Sequence, residues 1–216
     1  AIPRVALADP ATNAAEIARL HAAADTDGAA LVLFPELSLS GYSLEDLHQQ
    51  EALLRAVLGA LEELLQSSQA RRSLLVVGAP LRLEGRLLNC AVVISKGRIL
   101  GIVPKTYLPS YREFYEKRQF SSSRDVPSRE TQCLGQSVPL GADLIFRCAE
   151  IPALALHVEI CEDVWAPLPP STYAAMAGAT ILGNLSASNI TVGKTAYRHL
   201  LAASQSGRCL AAYLYA

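Results

Sequence analysis

Three polar residues each follow an apolar, extended run. Cys161 closes a stretch carrying Leu154, Ala155, Leu156, Val158 and Ile160, Glu36 follows Leu31-Val32-Leu33-Phe34-Pro35, and Lys105 follows Gly101-Ile102-Val103-Pro104. A thiol at the tip of a buried strand is held rigidly yet faces the loops where a substrate arrives. The N–H groups after it are free to receive a developing oxyanion. A carboxylate can take the thiol proton, the thiolate can attack a carbonyl carbon, and an ammonium can offset the charge on the carbonyl oxygen. Together the three residue types describe acyl transfer. Singly, each has a plain alternative: a buried structural cysteine, a solvated loop acid, a solvated or phosphate-facing lysine.

Histidine is the obvious rival for the base. His157 is nearest, but four residues of extended chain span roughly 13 Å, beyond hydrogen-bond reach of Cys161. His21, His48 and His199 fall on predicted helices. The local sequence therefore supports no Cys–His dyad, and a histidine delivered by the fold stays open.

The elements that must position these residues follow from periodicity. Residues 2–8 read as a short strand, and Asn13-Ala14-Ala15-Glu16 has the form of a capping box opening a helix with Ile17, Leu20 and Ala24 on one face. Residues 30–34 form a continuous apolar strand that Pro35 ends. Ser43 and Asp46 give a second helix-start signal before an amphipathic pattern over 51–69. A strand at 73–78 precedes a hairpin of 87–94 and 98–103 turned by Ser95-Lys96-Gly97. Residues 106–141 show almost no period and read as a long functional or partly disordered loop. Strands resume at 142–147 and 151–160. A short helix follows Pro169-Pro170-Ser171, and after it come a strand at 179–185, a helix at 193–206 and a strand at 209–215. This order indicates an α/β layered sheet in one domain, and strand ends in such folds are where ligands bind.

Bulk composition narrows the partners. The 216 residues are 51% hydrophobic, enough for one well-buried domain, and 19 basic against 20 acidic residues leave a net charge of -1. That balance argues against nucleic acid or an anionic membrane as the partner and for a small molecule or a protein. No apolar run reaches the ~18 residues of a membrane helix, and the first residues lack a basic, then apolar, leader pattern. A cytoplasmic protein with five reduced cysteines is expected, with neither a disulfide framework nor a zinc knuckle.

Three motifs carry a family resemblance: FPELSLSGY, VPKTYLPSYREFYEKRQF and HVEICEDVW. They resemble the glutamate, lysine and cysteine motifs of the nitrilase (carbon-nitrogen hydrolase) superfamily. More narrowly, with NLSASNITVGK and the closing SGRCLAAYLYA, they are similar to the glutaminase domains of bacterial glutamine-dependent NAD synthetases, from about Val5 to the last residue. The resemblance implies a four-layer α-β-β-α sandwich and hydrolysis of the glutamine side-chain amide through a thioester. By motif position Cys161 is the nucleophile, Glu36 the general acid/base and Lys105 the cation facing the tetrahedral intermediate, joined by the backbone N–H of Glu162. Glu116 matches an additional acid that orients Lys105 or positions substrate. Tyr111 sits where these glutaminases present an aromatic to glutamine, and Ser188 and Lys194 occupy the loop that meets its amino-acid end. Trp165 reads as a pocket wall or core residue.

The same resemblance implies no cofactor or metal for this domain. ATP and Mg belong to a C-terminal synthetase domain whose SGG-x-D-S loop the sequence lacks. The chain is expected to be a glutaminase domain cut before it is complete, working with that synthetase domain and assembling as a homo-oligomer. Three rivals remain: a free-standing amidase, nitrilase or carbamoylase on another small substrate, a non-catalytic assembly module, and a nucleotide-binding module built on the near-P-loop Ser188 to Thr195.

Overall fold

The computed structural model describes residues 1–216. Its first helix, α1 (Pro10–Thr26), begins earlier than the Asn13 pattern predicts. Asp9 caps it, accepting from the Thr12 N–H at 3.1 Å, and Pro10 occupies the first turn, where its missing N–H costs nothing. Asn13 is buried inside the helix and ties down the preceding chain instead. Its Oδ1 accepts from the Ala6 N–H at 2.7 Å, and its Nδ2 donates to the carbonyls of Ala6 and Leu39 at 2.8 and 3.0 Å. Residues 2–8 consequently form no strand. Pro3 has no N–H, Ala6 is spent on Asn13, and the Ala8 N–H donates to the Ser40 carbonyl at 2.9 Å, so no ladder can develop.

The first sheet comprises β1 (Leu31–Leu33), β2 (Leu74–Leu83), β3 (Arg86–Ser95) and β4 (Arg98–Pro104), in that spatial order. β1 and β2 are parallel, and β2, β3 and β4 form an antiparallel meander. A 3-10 turn at Glu45–Gln49 leads into α2 (Glu51–Ser68), which follows the predicted amphipathic pattern. The alternation of side chains sorts the sheet into two faces. Leu75, Val77, Ala79 and Leu81 of β2 and Leu88, Cys90, Val92 and Ile94 of β3 pack with Ile17 of α1 and with Val57, Leu61 and Leu64 of α2. Val76, Ala91, Val93 and Val103 face the opposite way.

The predicted long loop 106–141 holds short 3-10 turns at Glu116–Arg118 and Ser123–Asp125. It also holds a two-stranded hairpin, β5 (Glu130–Cys133) with β6 (Gln136–Pro139). Leu134 and Gly135 both take positive φ at its two-residue turn.

The second sheet is ordered β10 (Ala212–Tyr215), β9 (Ile181–Leu185), β8 (Ala155–Ile160), β7 (Ile145–Arg147), with β8, β9 and β10 parallel and β7 antiparallel to β8. Leu156, Val158, Ile160 and Leu185 meet the second face of the first sheet in a shared apolar layer. α3 (Pro170–Met176) and α4 (Lys194–Cys209) cover the outer face, where Ala174, Ala179, Leu182 and Ala211 cluster. Helices, sheet, sheet and helices thus follow one another through the molecule in a mixed α/β fold. No helix is long and apolar enough to cross a membrane.

Candidate active site

The C-terminal ends of β1, β4, β8 and β9 converge. Glu36 lies in the turn after β1, and that turn rests on Gly78 of β2: a Cβ there would fall 2.2 Å from the Leu37 nitrogen and 2.6 Å from the Pro35 carbonyl oxygen. Only glycine lets the two backbones approach this closely. Lys105 follows β4, its N–H donating to the Asn89 carbonyl at 2.8 Å. Cys161 follows β8 as the first residue of a 3-10 turn, with φ of 44°, a left-handed conformation that a side-chain-bearing residue adopts at a cost of order 1–3 kcal/mol.

These residues form one buried polar cluster. The Lys105 Nζ donates to Glu36 Oε1 and to Glu116 Oε1, each at 2.6 Å, and none of its surface is exposed. Asn89 Nδ2 donates to the same Glu36 oxygen at 2.7 Å, the Ala187 N–H donates to Glu36 Oε2 at 3.0 Å, and the Tyr42 hydroxyl donates to Glu116 Oε1 at 2.7 Å. The Ser186 hydroxyl donates to the Cys161 sulfur at 3.3 Å. Because Ser186 and Ala187 are adjacent, the tip of β9 ties the thiol to the Glu36 carboxylate. Asn184 Nδ2 donates to the Cys161 carbonyl at 3.4 Å, bracing the left-handed turn.

Burial pushes the Cys161 thiol up to about 12 and the Glu36 carboxylate adds to the shift, while Lys105 and the Ser186 hydrogen bond oppose it. The resting sulfur is therefore a thiol, and attack requires a base. Burial alone would discharge Lys105, but the charges of Glu36 and Glu116 outweigh it and hold the ammonium above its ordinary value. Glu116 is pushed up to about 7, chiefly by burial, with Glu36 raising it further and Lys105 pulling it down. Shared between two carboxylates, Lys105 keeps its proton.

Asp163 is also buried and fastens this region. It accepts from the N–H groups of Thr106, Tyr107 and Ile160 at 3.1, 2.8 and 3.0 Å. Burial and the nearby Glu159 raise its carboxyl to about 7 against the pull of those amides.

A second cluster lines the rim. The Tyr111 hydroxyl donates to both Glu162 oxygens at 2.9 Å, and Tyr111 packs edge-on against Phe114. Lys194 Nζ lies 5.2 Å from the centre of the Trp165 ring and donates to Asn189 Oδ1, and Tyr197 stacks on Trp165. The Glu162 carboxyl is raised by burial, and Tyr111, Lys105 and Lys194 counter that shift. As the second residue of its turn, Glu162 has no intrahelical acceptor for its N–H. The Ser188 N–H donates to Ser186 Oγ at 3.2 Å, one step from the sulfur.

Glu36, Lys105, Cys161 and Glu116 are thus gathered in the interior, Tyr111, Glu162 and Lys194 at the rim, and Ser188 beside Ser186. His157 turns away, its Nδ1 3.0 Å from the Leu144 carbonyl. Sequence reasoning passed over Asn89, Tyr42, Ser186 and the anchoring part of Asp163. Asn89 had a signal, since an amide inside the apolar strand Leu87-Leu88-Asn89-Cys90-Ala91 needs a buried partner. A cavity of about 300 Å³ is lined by Tyr42, Phe114, Glu116, Ala187 and Asn189. A larger hollow of about 520 Å³, between Tyr107, Arg124, Leu140 and Tyr173, is lined by none of the four interior residues. No three His, Cys, Asp or Glu side chains are grouped to hold a metal ion.

Residues 3–216 match the carbon-nitrogen hydrolase family, and the chain belongs to it, within the nitrilase superfamily. It is 53% identical over 210 residues to the glutamine-dependent NAD(+) synthetase of Mycobacterium tuberculosis, an alignment covering 97% of this chain and 31% of that protein. The chain therefore spans about a third of the length of such relatives. The crystal structure of a glutamine-dependent NAD(+) synthetase from Cytophaga hutchinsonii superposes with a TM-score of 0.85 at 25% identity, covering 100% of this chain and 34% of that one. An amidase from the nitrilase superfamily of Nesterenkonia shares the fold, with a TM-score of 0.74 at 20% identity over 99% of this chain and 74% of the amidase.

Proposed function

We propose that residues 1–216 form a glutaminase domain, which hydrolyses the side-chain amide of glutamine through a Cys161 thioester and supplies ammonia for NAD(+) synthesis. The observation that carries this reading is the buried Glu36–Lys105–Glu116 cluster, with Lys105 Nζ 2.6 Å from both carboxylates, set beside a thiol that burial keeps protonated.

Glu36 Oε1 is occupied by Lys105 and Asn89, so Oε2 is the oxygen with capacity left for the thiol proton. As that proton transfers, the sulfur attacks the amide carbon. The carbonyl oxygen gains a negative charge that Lys105 and the Glu162 N–H stabilise. Glu36 returns the proton to the amide nitrogen, the C–N bond breaks and ammonia leaves, with the glutamyl group held as a thioester. Water then gives a proton to Glu36 and its oxygen to the acyl carbon, and collapse of that intermediate frees glutamate and restores the thiol. Glu116 positions Lys105 throughout.

Glutamine is favoured over a simple amide by the rim. Its α-ammonium and α-carboxylate require opposite charges some distance from the reacting amide, and Glu162 and Lys194 supply them, with Tyr111 and Ser188 as further polar contacts. The similarity to NAD(+) synthetases points the same way.

Ammonia release from glutamine is the test, with mass spectrometry of Cys161 after an electrophilic glutamine analogue. Cys161→Ala is expected to lose about 10⁴-fold or more in rate. Faster turnover of another amide or nitrile than of glutamine sinks the substrate assignment, and activity in Cys161→Ala within about 10-fold of the parent's sinks the nucleophile.

A further inference from the structure

Lys105 and Cys161 belong to different sheets, and no ladder hydrogen bond joins β4 to β8. What holds the sheets together is an apolar layer, and apolar contact is non-directional. The distance between the ammonium and the sulfur therefore depends on directional ties, of which the Ala187 N–H on Glu36 is one.

We propose that Asp163 is a positioning residue that sets this distance, clamping the end of β4 to the end of β8 through three backbone amides. The proposal rests on the reading of Lys105 and Cys161 as groups that act on one substrate. Asp163 is 1% exposed, and no cation partners it. Its Oδ1 accepts from Thr106 and Tyr107, the two residues after Lys105, and its Oδ2 accepts from Ile160, the residue before Cys161. A single carboxylate thus grips both chains within two residues of the groups that react. Each oxygen must be an acceptor, because all three partners are N–H donors. An amide at this position satisfies one side and sets its own NH₂ against the other, leaving a buried donor unpaired.

Asp25 provides a matched comparison. It accepts from the Arg72 and Ser73 N–H groups at 2.9 and 2.8 Å and from the Ser73 hydroxyl at 2.8 Å, joining the end of α1 to the start of β2, and it touches none of the site residues. All three bonds fall on Oδ1, which an Asn could still present, so Asp25→Ala reports the structural cost of removing a carboxylate–amide tie.

The experiment measures kcat and KM for glutamine, thermal melting and the rate of Cys161 alkylation for the parent, Asp163→Asn and Asp25→Ala. A displacement near 1 Å is expected to lower kcat of Asp163→Asn about 100-fold. KM should stay within about 3-fold, since Asp163 makes no hydrogen bond to the Tyr111, Glu162 or Lys194 side chains. Asp25→Ala should melt earlier while its kcat remains at the parent's. Unchanged kcat in a folded Asp163→Asn overturns the proposal, as does an equal kcat loss in Asp25→Ala. Should Asp163→Asn fail to fold, Asp163→Glu keeps both acceptors on a longer arm. A kcat loss there at constant KM supports the clamp, and parent-like kcat overturns it. If the parent releases no ammonia from glutamine, the functional reading fails and alkylation decides the clamp separately. Labelling of Cys161 about 10-fold slower in Asp163→Asn, from loss of the nearby cation, supports it, and an unchanged rate overturns it.

Discussion

One ammonium facing two carboxylates is the arrangement from which the chemistry starts. Lys105 keeps its charge, and burial raises Glu116 to about 7 from an ordinary value of 4.5. Because the folded form binds that proton more tightly than the unfolded chain, the stability Glu116 contributes is complete below about 4.5 and is lost as pH rises through about 7. Glu116→Gln stays neutral and should remove this component. Its melting temperature is expected to fall less than the parent's across that window, and parallel curves would show that Glu116 is ionised throughout. Glu36→Gln makes a different prediction. The side-chain oxygen can still accept from Lys105 and Asn89 while the NH₂ faces the Ala187 N–H, so the fold should survive at reduced stability, but the base is gone and ammonia release should drop about 10²–10⁴-fold. Full activity in that variant would take Glu36 out of the mechanism.

At the level of elements, the strands that carry the site were legible and their surroundings less so. The runs before Glu36, Lys105 and Cys161 are apolar because both faces of each sheet are covered, and burial of that kind is written directly into composition. The reach of β2 to Leu83, past the predicted 73–78, was hidden by Pro80 and Arg82, which ordinarily argue against a strand interior. The β5–β6 hairpin escaped because Leu134, a residue with no preference for positive φ, supplies its turn. The N-terminal strand failed because Asn13, which resembles a cap, spends its amide on the Ala6 backbone instead. Polar contacts between distant segments, such as Asn89 with Glu36 or Asp163 with Thr106, have no periodicity to betray them. Gly78 belongs here too, since its need for glycine arises from a turn some forty residues away. Gly78→Ala must displace backbone atoms, not a flexible side chain, at a cost of about 1–3 kcal/mol. The displaced segment carries Glu36, so calorimetry should show an earlier melt accompanied by lower ammonia release. Parent-like values in both would mean the 35–37 turn can move freely.

Across the whole molecule, the site is divided between two sheets that share one apolar layer, while a separate core joins the first sheet to α1 and α2. Glu36, Asn89 and Lys105 come from the first sheet, and Cys161, Ser186 and Ala187 from the second. The two cores should therefore differ in what a cavity does to function. Leu156 lies in the layer between the sheets and Leu61 on α2 in the other core, both fully buried. Truncating either to Ala removes the same side-chain volume and should cost about 2–5 kcal/mol. For a chain of this size that corresponds to a fall in melting temperature of about 2–4 °C per kcal/mol. In Leu61→Ala the relative placement of the sheets is preserved, so kcat well below the melting range should stay close to the parent's. In Leu156→Ala the layer that spaces the Lys105 ammonium from the Cys161 sulfur relaxes into the void, and kcat should fall along with stability. Equal stability losses with equal kcat in the two variants would mean that polar ties alone, Asp163 and Ala187 among them, hold the halves of the site in register. The apolar layer would then supply only cohesion.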